Sequence, residues 1–139
     1  MIELGHGTAT SPAPPAAFFT RWIDHDTWPA WSPDTEWVRL DGPPAVGTHG
    51  VLKPKGGPKA KFVISACTPP QEYTDTTLLP GARLVFTHTA EPSSEGSALE
   101  VLVTIAGPLA FFWAKVMGKG FRESAQADLD RLVALVEQA

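Results

Sequence analysis

Apolar residues in the last third of the chain recur at Phe112, Val116, Phe121, Ala125, Leu129, Leu132 and Val136, mostly four residues apart. That spacing marks one face of a helix. Lys115, Lys119, Arg122, Gln126 and Asp130 follow the opposite side. The stretch from Gly107 to Ala139 is therefore predicted as a single amphipathic helix, with Pro108 at its first helical position and Gly107 as its cap. At 1.5 Å per residue it would run roughly 45 Å, which favours a bend. Gly118 and Gly120 are the expected place, as a kink, a close contact with the sheet, or room for a ligand. The first turns, Leu109 to Trp113, are apolar on every side. They are expected to be buried, or to sit at a cavity mouth or a subunit contact.

Upstream the period changes to two. Leu84, Phe86 and His88 share one side of a segment spanning Arg83 to Ala90; Leu99, Val101, Val103 and Ile105 share one side of Ala98 to Ala106. An apolar face alternating with a polar one fits an antiparallel sheet covered on one side. Further strands are predicted at Ile2–Thr10, Glu36–Leu40, Thr48–Lys53, Ala60–Thr68 and Glu72–Leu79. Ile2, Leu4 and His6 are expected on one side of the first. Ala16–Ile23 reads as a short helix with Phe18, Phe19, Trp22 and Ile23 inward, and Thr27–Trp31 as a second turn or short helix. Proline and glycine, 14 and 12 in number, punctuate the chain into such short segments.

The 139 residues suggest one domain spanning 1–139. A net charge of −4 argues against nucleic acid as a partner. Cys67 is the only cysteine, which excludes an intrachain disulfide and fits a reducing, cytoplasmic setting. The first ten residues lack the basic and apolar runs of a signal peptide, and no segment is long and apolar enough to span a membrane. His6, His25, His49 and His88 are scattered, with no metal-ligand spacing, and no cofactor signature is present.

Among candidate chemistry, His88 stands on an inward face. It reads either as a general base or ligand partner, or as a core histidine bonded to a backbone carbonyl. His6 carries the same ambiguity. Asp24-His25-Asp26 places carboxylates beside an imidazole, but neighbouring side chains point apart, so capping and solvation are the expected roles. Tyr73, Asp75 and Thr77 alternate with Thr74 and Thr76, and the sequence does not choose the inward set. Trp22, Trp28, Trp31 and Trp37 with Phe18 and Phe19 form a dense aromatic group, as a core or a stacking surface for a planar ligand. Lys53, Lys55, Lys59 and Lys61 crowd one hairpin, either as a solvated, aggregation-blocking edge or as a contact for a phosphate, an acidic carrier protein or anionic lipid headgroups.

The order strand, two short helices, six strands, long helix resembles the START-like (SRPBCC, helix-grip) superfamily of the polyketide cyclase/dehydrase and lipid-transport type. Trp28-Pro29-Ala30-Trp31-Ser32-Pro33, Leu79-Pro80-Gly81-Ala82-Arg83-Leu84 leading to His88, and Gly107-Pro108-Leu109 carry the resemblance across the whole chain. It implies an α+β helix-grip fold, a curved antiparallel sheet of about seven strands around a long C-terminal helix, with an apolar cavity between. Members of such a family bind lipids, sterols, polyketides, quinones or plant hormones, and a minority catalyse cyclisation or dehydration. The leading expectation is a small hydrophobic ligand in that cavity. Its lining would come from Tyr73, Leu84, Phe86, His88, Val101, Val103, Phe112, Val116 and Phe121, with Trp28 and Trp31 near an entrance. A cyclase or dehydratase using His88 as acid/base, supported by Tyr73 or Asp75, is the second reading. The third is a protein-interaction module in which Leu109–Trp113 forms a homodimer contact.

Overall fold

The computed structural model describes residues 1–138. Seven antiparallel strands form one sheet: β1 (Ile2–Ser11), β2 (Thr35–Leu40), β3 (His49–Pro54), β4 (Ala60–Thr68), β5 (Glu72–Leu79), β6 (Ala82–Ser93) and β7 (Gly96–Ala106). Their spatial order is β1-β7-β6-β5-β4-β3-β2. Between β1 and β2 lie a helix α1 (Pro15–Trp22) and a 3-10 turn (His25–Ala30), which carry the chain from one sheet edge to the other. The helix α2 (Ala110–Gln138) follows β7. This is the curved sheet and long C-terminal helix that the resemblance implied.

Register sorts the side chains into two faces. Leu84, Phe86, His88 and Ala90 of β6 stand opposite Ile105, Val103, Val101 and Leu99 of β7. All of these line the concave side, and all but Phe86 are buried. On β5 the same register aligns Tyr73 with His88, Asp75 with Phe86 and Thr77 with Leu84. The alternation left open by the sequence is thereby resolved, with Tyr73, Asp75 and Thr77 concave and Thr74 and Thr76 convex.

The β1 pattern departs from expectation. A bulge between Glu3 and Gly5 shifts the register, so that Gly5, Gly7, Ala9 and Ser11 face inward after it. Leu4 remains buried, while His6 turns outward and meets Glu100 at 2.8 Å. The small residues let α2 lie directly on the strand. A Cβ on Gly5 would stand 2.7 Å from Phe121 O, and one on Gly7 3.0 Å from Gln126 Cα. Ala125, Leu129, Leu132 and Val136 seal this contact, each large apolar side chain contributing about 1.5–3 kcal/mol. Polar ties hold it in register. The Gln126 amide accepts from Thr8 N–H and donates to Thr8 O, both at 2.9 Å, capping the free edge of β1. Ser11 Oγ donates to Glu137, and Ser32 Oγ to Asp128, each at 2.8 Å.

Two boundaries shift. The helix begins at Ala110, with Gly107 at φ 122° and Pro108 in the turn before it. Strand β6 runs on to Ser93 and β7 starts at Gly96, so the connection expected between Ala90 and Ala98 shrinks to Ser94-Glu95. The helix is continuous through both glycines. The space beside Gly118 is taken by the Arg122 guanidinium, 3.2 Å from where a Cβ would be, and Gly120 faces open space. Gly118 therefore leaves no room for a ligand, and Gly120 is on the exposed surface of the helix.

Candidate functional site

The concave centre holds a polar group inside an aromatic shell. α1 carries Phe18 and Trp22 inward at helical spacing, and the 3-10 turn carries His25 and Trp28. Trp22, His25, Trp28, Trp31, Tyr73 and His88 are all buried. Trp28 stacks on His25 with ring centroids 4.6 Å apart and meets Tyr73 edge-on at 5.9 Å. Trp22 tilts against His88 at 5.4 Å.

Tyr73 Oη stands 2.6 Å from His25 Nε2 and 3.0 Å from Asp75 Oδ2, forming a buried His–Tyr–Asp chain. Burial pushes the Asp75 carboxyl up to about 7, against the opposing pull of the Tyr73 hydroxyl. Burial likewise lowers His25 to about 4, partly offset by the Ile23 carbonyl and by Asp24 and Asp26. The Tyr73 hydroxyl is raised by burial and by Asp75, so it stays protonated. The chain has two consistent arrangements. With Asp75 ionised, Tyr73 donates to it and His25 Nε2–H donates to Tyr73. With Asp75 protonated, the carboxyl donates to Tyr73, whose hydroxyl donates to His25 Nε2, and His25 Nδ1–H faces Ile23 O at 3.3 Å. Only the second arrangement also gives the Ile23 carbonyl a donor from a neutral His25, and the burial that raises the Asp75 carboxyl favours it.

His88 lies beside this chain. Its Nδ1–H donates to the Tyr73 carbonyl at 3.1 Å, which leaves Nε2 as an acceptor. Burial lowers its pKa to about 4, with the Tyr73 carbonyl opposing and His25 adding to the shift. Two buried donors in the same shell, Trp22 Nε1 and Trp31 Nε1, have no acceptor among the described residues. Trp28 Nε1 by contrast donates to Trp22 O at 3.1 Å.

The residues singled out from the sequence separate into two groups. Trp28, Trp31, Tyr73, Leu84, Phe86, His88, Val101 and Val103 converge on the concave side, and Phe121 reaches Phe86 edge-on at 5.4 Å. Phe112 and Val116 do not join them: they are 57% and 63% exposed, because the inward side of α2 at this end is Ala110, Ala114, Met117 and Phe121. Trp28 and Trp31 are buried shell residues rather than an open entrance. Trp37 lies on the convex face under Arg39, 4.4 Å from the ring, and is no part of the cluster. His25 was assigned to solvent and is instead central, while Asp24 and Asp26 are exposed and no side chain caps the 3-10 turn. A signal for His25 was present: it stands three residues from both Trp22 and Trp28, on the same side of successive turns.

Two open surface clefts lie outside this region, one over Thr8, Thr10, Thr89, Glu91 and Glu100, the other over Leu78, Gly81, Arg83, Gly107 and Pro108. Over the sheet centre, where a hollow was expected, Trp22 packs against His88 and Trp28 against Tyr73. No group of three potential metal ligands occurs among the described residues, and no described helix is long and apolar enough to cross a membrane.

A concave antiparallel sheet gripping a C-terminal helix, with its polar groups gathered on the concave side, defines a helix-grip protein. The chain belongs to the polyketide cyclase/dehydrase and lipid transport family, which it matches over residues 6–137. Its fold is similar to that of a Mesorhizobium loti protein, at 17% identity, 96% coverage of both chains and a TM-score of 0.73. It is also similar to Ara h 8.0201, at 19% identity, coverage of 96% and 97%, and a TM-score of 0.67. The di-domain ARO/CYC StfQ from the steffimycin biosynthetic pathway aligns at 13% identity and a TM-score of 0.77, over 99% of this chain and 51% of that one. No curated protein matches the sequence.

Proposed function

We propose that the protein binds a small, largely apolar or aromatic molecule bearing a hydrogen-bond acceptor, on the concave side between the sheet and α2. The observation that carries this reading is the pair of buried indole donors, Trp22 and Trp31, left without acceptors in an apolar shell. Each unpaired buried donor costs about 1–3 kcal/mol, a cost that a ligand oxygen would remove. Burial of ligand surface, at about 25 cal/mol per Å² before association costs, would supply the remaining drive. Family membership supports the reading, since its description covers both cyclisation and lipid transport. Trp28 and Trp31 are both buried, so entry requires these side chains to shift. Native mass spectrometry of the purified protein, followed by titration of any released compound against tryptophan fluorescence, tests this. Saturable quenching that weakens on Trp31→Phe is the expected result. An empty protein whose fluorescence is unmoved by planar aromatic and acyl compounds would overturn it.

The His25–Tyr73–Asp75 chain favours a second reading, a cyclase or dehydratase in which the network exchanges a proton with a bound polyketide-like chain. His88, whose ring lies 5.7 Å from that of Tyr73, presents Nε2 as a further base beside that network. His88→Ala would then abolish turnover while sparing ligand binding; unchanged turnover would remove His88 from the assignment.

A further inference from the structure

The N-terminal half of α2 leaves an apolar face uncovered. Phe111 is 83% exposed, Phe112 57% and Val116 63%, and Leu109 and Leu78 are exposed beside them. Leu109 sits against Gly81, where an added Cβ would come 2.6 Å from Leu109 Cγ, so the β5–β6 turn and the helix start form one surface. Interleaved with these residues are Lys115, Lys119 and Arg122, all exposed. No acidic residue occurs between Leu102 and Arg122, although the chain as a whole carries a net charge of −4. Strand register brings more positive charge to the same end. The β3–β4 hairpin with Lys55 and Lys59 lies at the end of the sheet where β5 turns into β6 and β7 leads into α2. The acids near that end are Glu3, Asp34 and Glu36, the last 3.8 Å from Lys53, with Glu123 one residue beyond Arg122.

From this surface we infer that the protein docks on an anionic lipid bilayer, with Phe111, Phe112 and Val116 entering the interface and Lys115, Lys119 and Arg122 at the headgroups. Aromatic and basic residues interleaved on one helix are suited to that boundary. Charge favours a bilayer over a second copy of the chain, because two-fold pairing of this face would set the three cations of one protomer against the same three of the other. The inference does not depend on what the interior binds.

Co-sedimentation of the full chain with extruded vesicles tests it. Binding is expected to vesicles of phosphatidylcholine mixed with phosphatidylglycerol, to fall steeply with added salt, and to be far weaker to phosphatidylcholine alone. Lys115→Glu with Lys119→Glu should weaken it about twenty-five-fold or more, on the order of fivefold per lysine. Phe111→Ser with Phe112→Ser should weaken it comparably, while both variants keep the wild-type melting temperature because the replaced side chains are exposed. Failure to pellet with the anionic vesicles at low salt would overturn the inference. So would a lipid-free dimer in analytical ultracentrifugation that the phenylalanine variant dissociates, which would assign the face to a second copy. Binding that persists undiminished in both double variants would also overturn it.

Discussion

The two halves of α2 carry similar apolar spacing and meet opposite fates. Beyond Phe121, Ala125, Leu129, Leu132 and Val136 are buried on the glycine-lined edge strand, and Gln126, Asp128 and Glu137 fasten that half to β1 and to the loop before β2. Before Phe121, only Ala110 and Gly118 are buried, and Phe111, Phe112 and Val116 stand in solvent. Periodicity selects a helix face, but coverage is decided by what the opposing surface can accept. Gly5 and Gly7 provide that surface for one half alone.

The strongest way to break this contrast is to fill the seat. Gly5→Val places atoms against the Phe121 carbonyl, which as backbone cannot rotate away, and should cost about 3 kcal/mol or more in urea unfolding. Leu129→Ala should cost about 2–5 kcal/mol, whereas Val116→Ala should stay within about 0.5 kcal/mol. Equal losses from the two would show that both halves are packed alike.

A pH series sharpens the picture for the interior that α2 helps to close. The histidines His25 and His88 lie at about 4 in the folded chain against 6.5 when unfolded. Between those values the unfolded chain binds more protons, so stability rises with pH. Asp75 works the other way. At about 7 against 3.8 unfolded, it retains a proton that the unfolded chain has released, so stability falls as pH climbs between those values. Two histidines outweigh one carboxyl, giving a melting temperature that climbs towards pH 6.5 and then slips as Asp75 finishes ionising. Asp75→Asn should steepen the climb and abolish the slip. A flat profile in the wild type would contradict these burial effects. One further small change has the opposite sign. Gly120→Ala, in open space on the helix, should stabilise by about 0.5–1 kcal/mol.

Much of the architecture was legible because alternation and helical spacing are local. The strands fall within a few residues of their expected bounds, and the inward sets on β6 and β7 follow directly from their patterns. What escaped depended on partners. His6 required knowledge of a bulge two residues earlier, and Tyr73 with Asp75 required the register against His88. His25 was overlooked because its two charged neighbours drew the reading towards water, when its spacing from Trp22 and Trp28 placed it with the core. Phe112 and Val116 were expected inside because their spacing continues that of Leu129 and Leu132, and spacing carries no record of where the sheet ends.

Gln126 has a role that reaches past this chain's own packing. An outermost strand with bare amides invites a neighbouring polypeptide to zip alongside it. By occupying the amide and carbonyl of Thr8, the Gln126 carboxamide closes the strand's midpoint to such a neighbour, beside a helix that already lies along this margin.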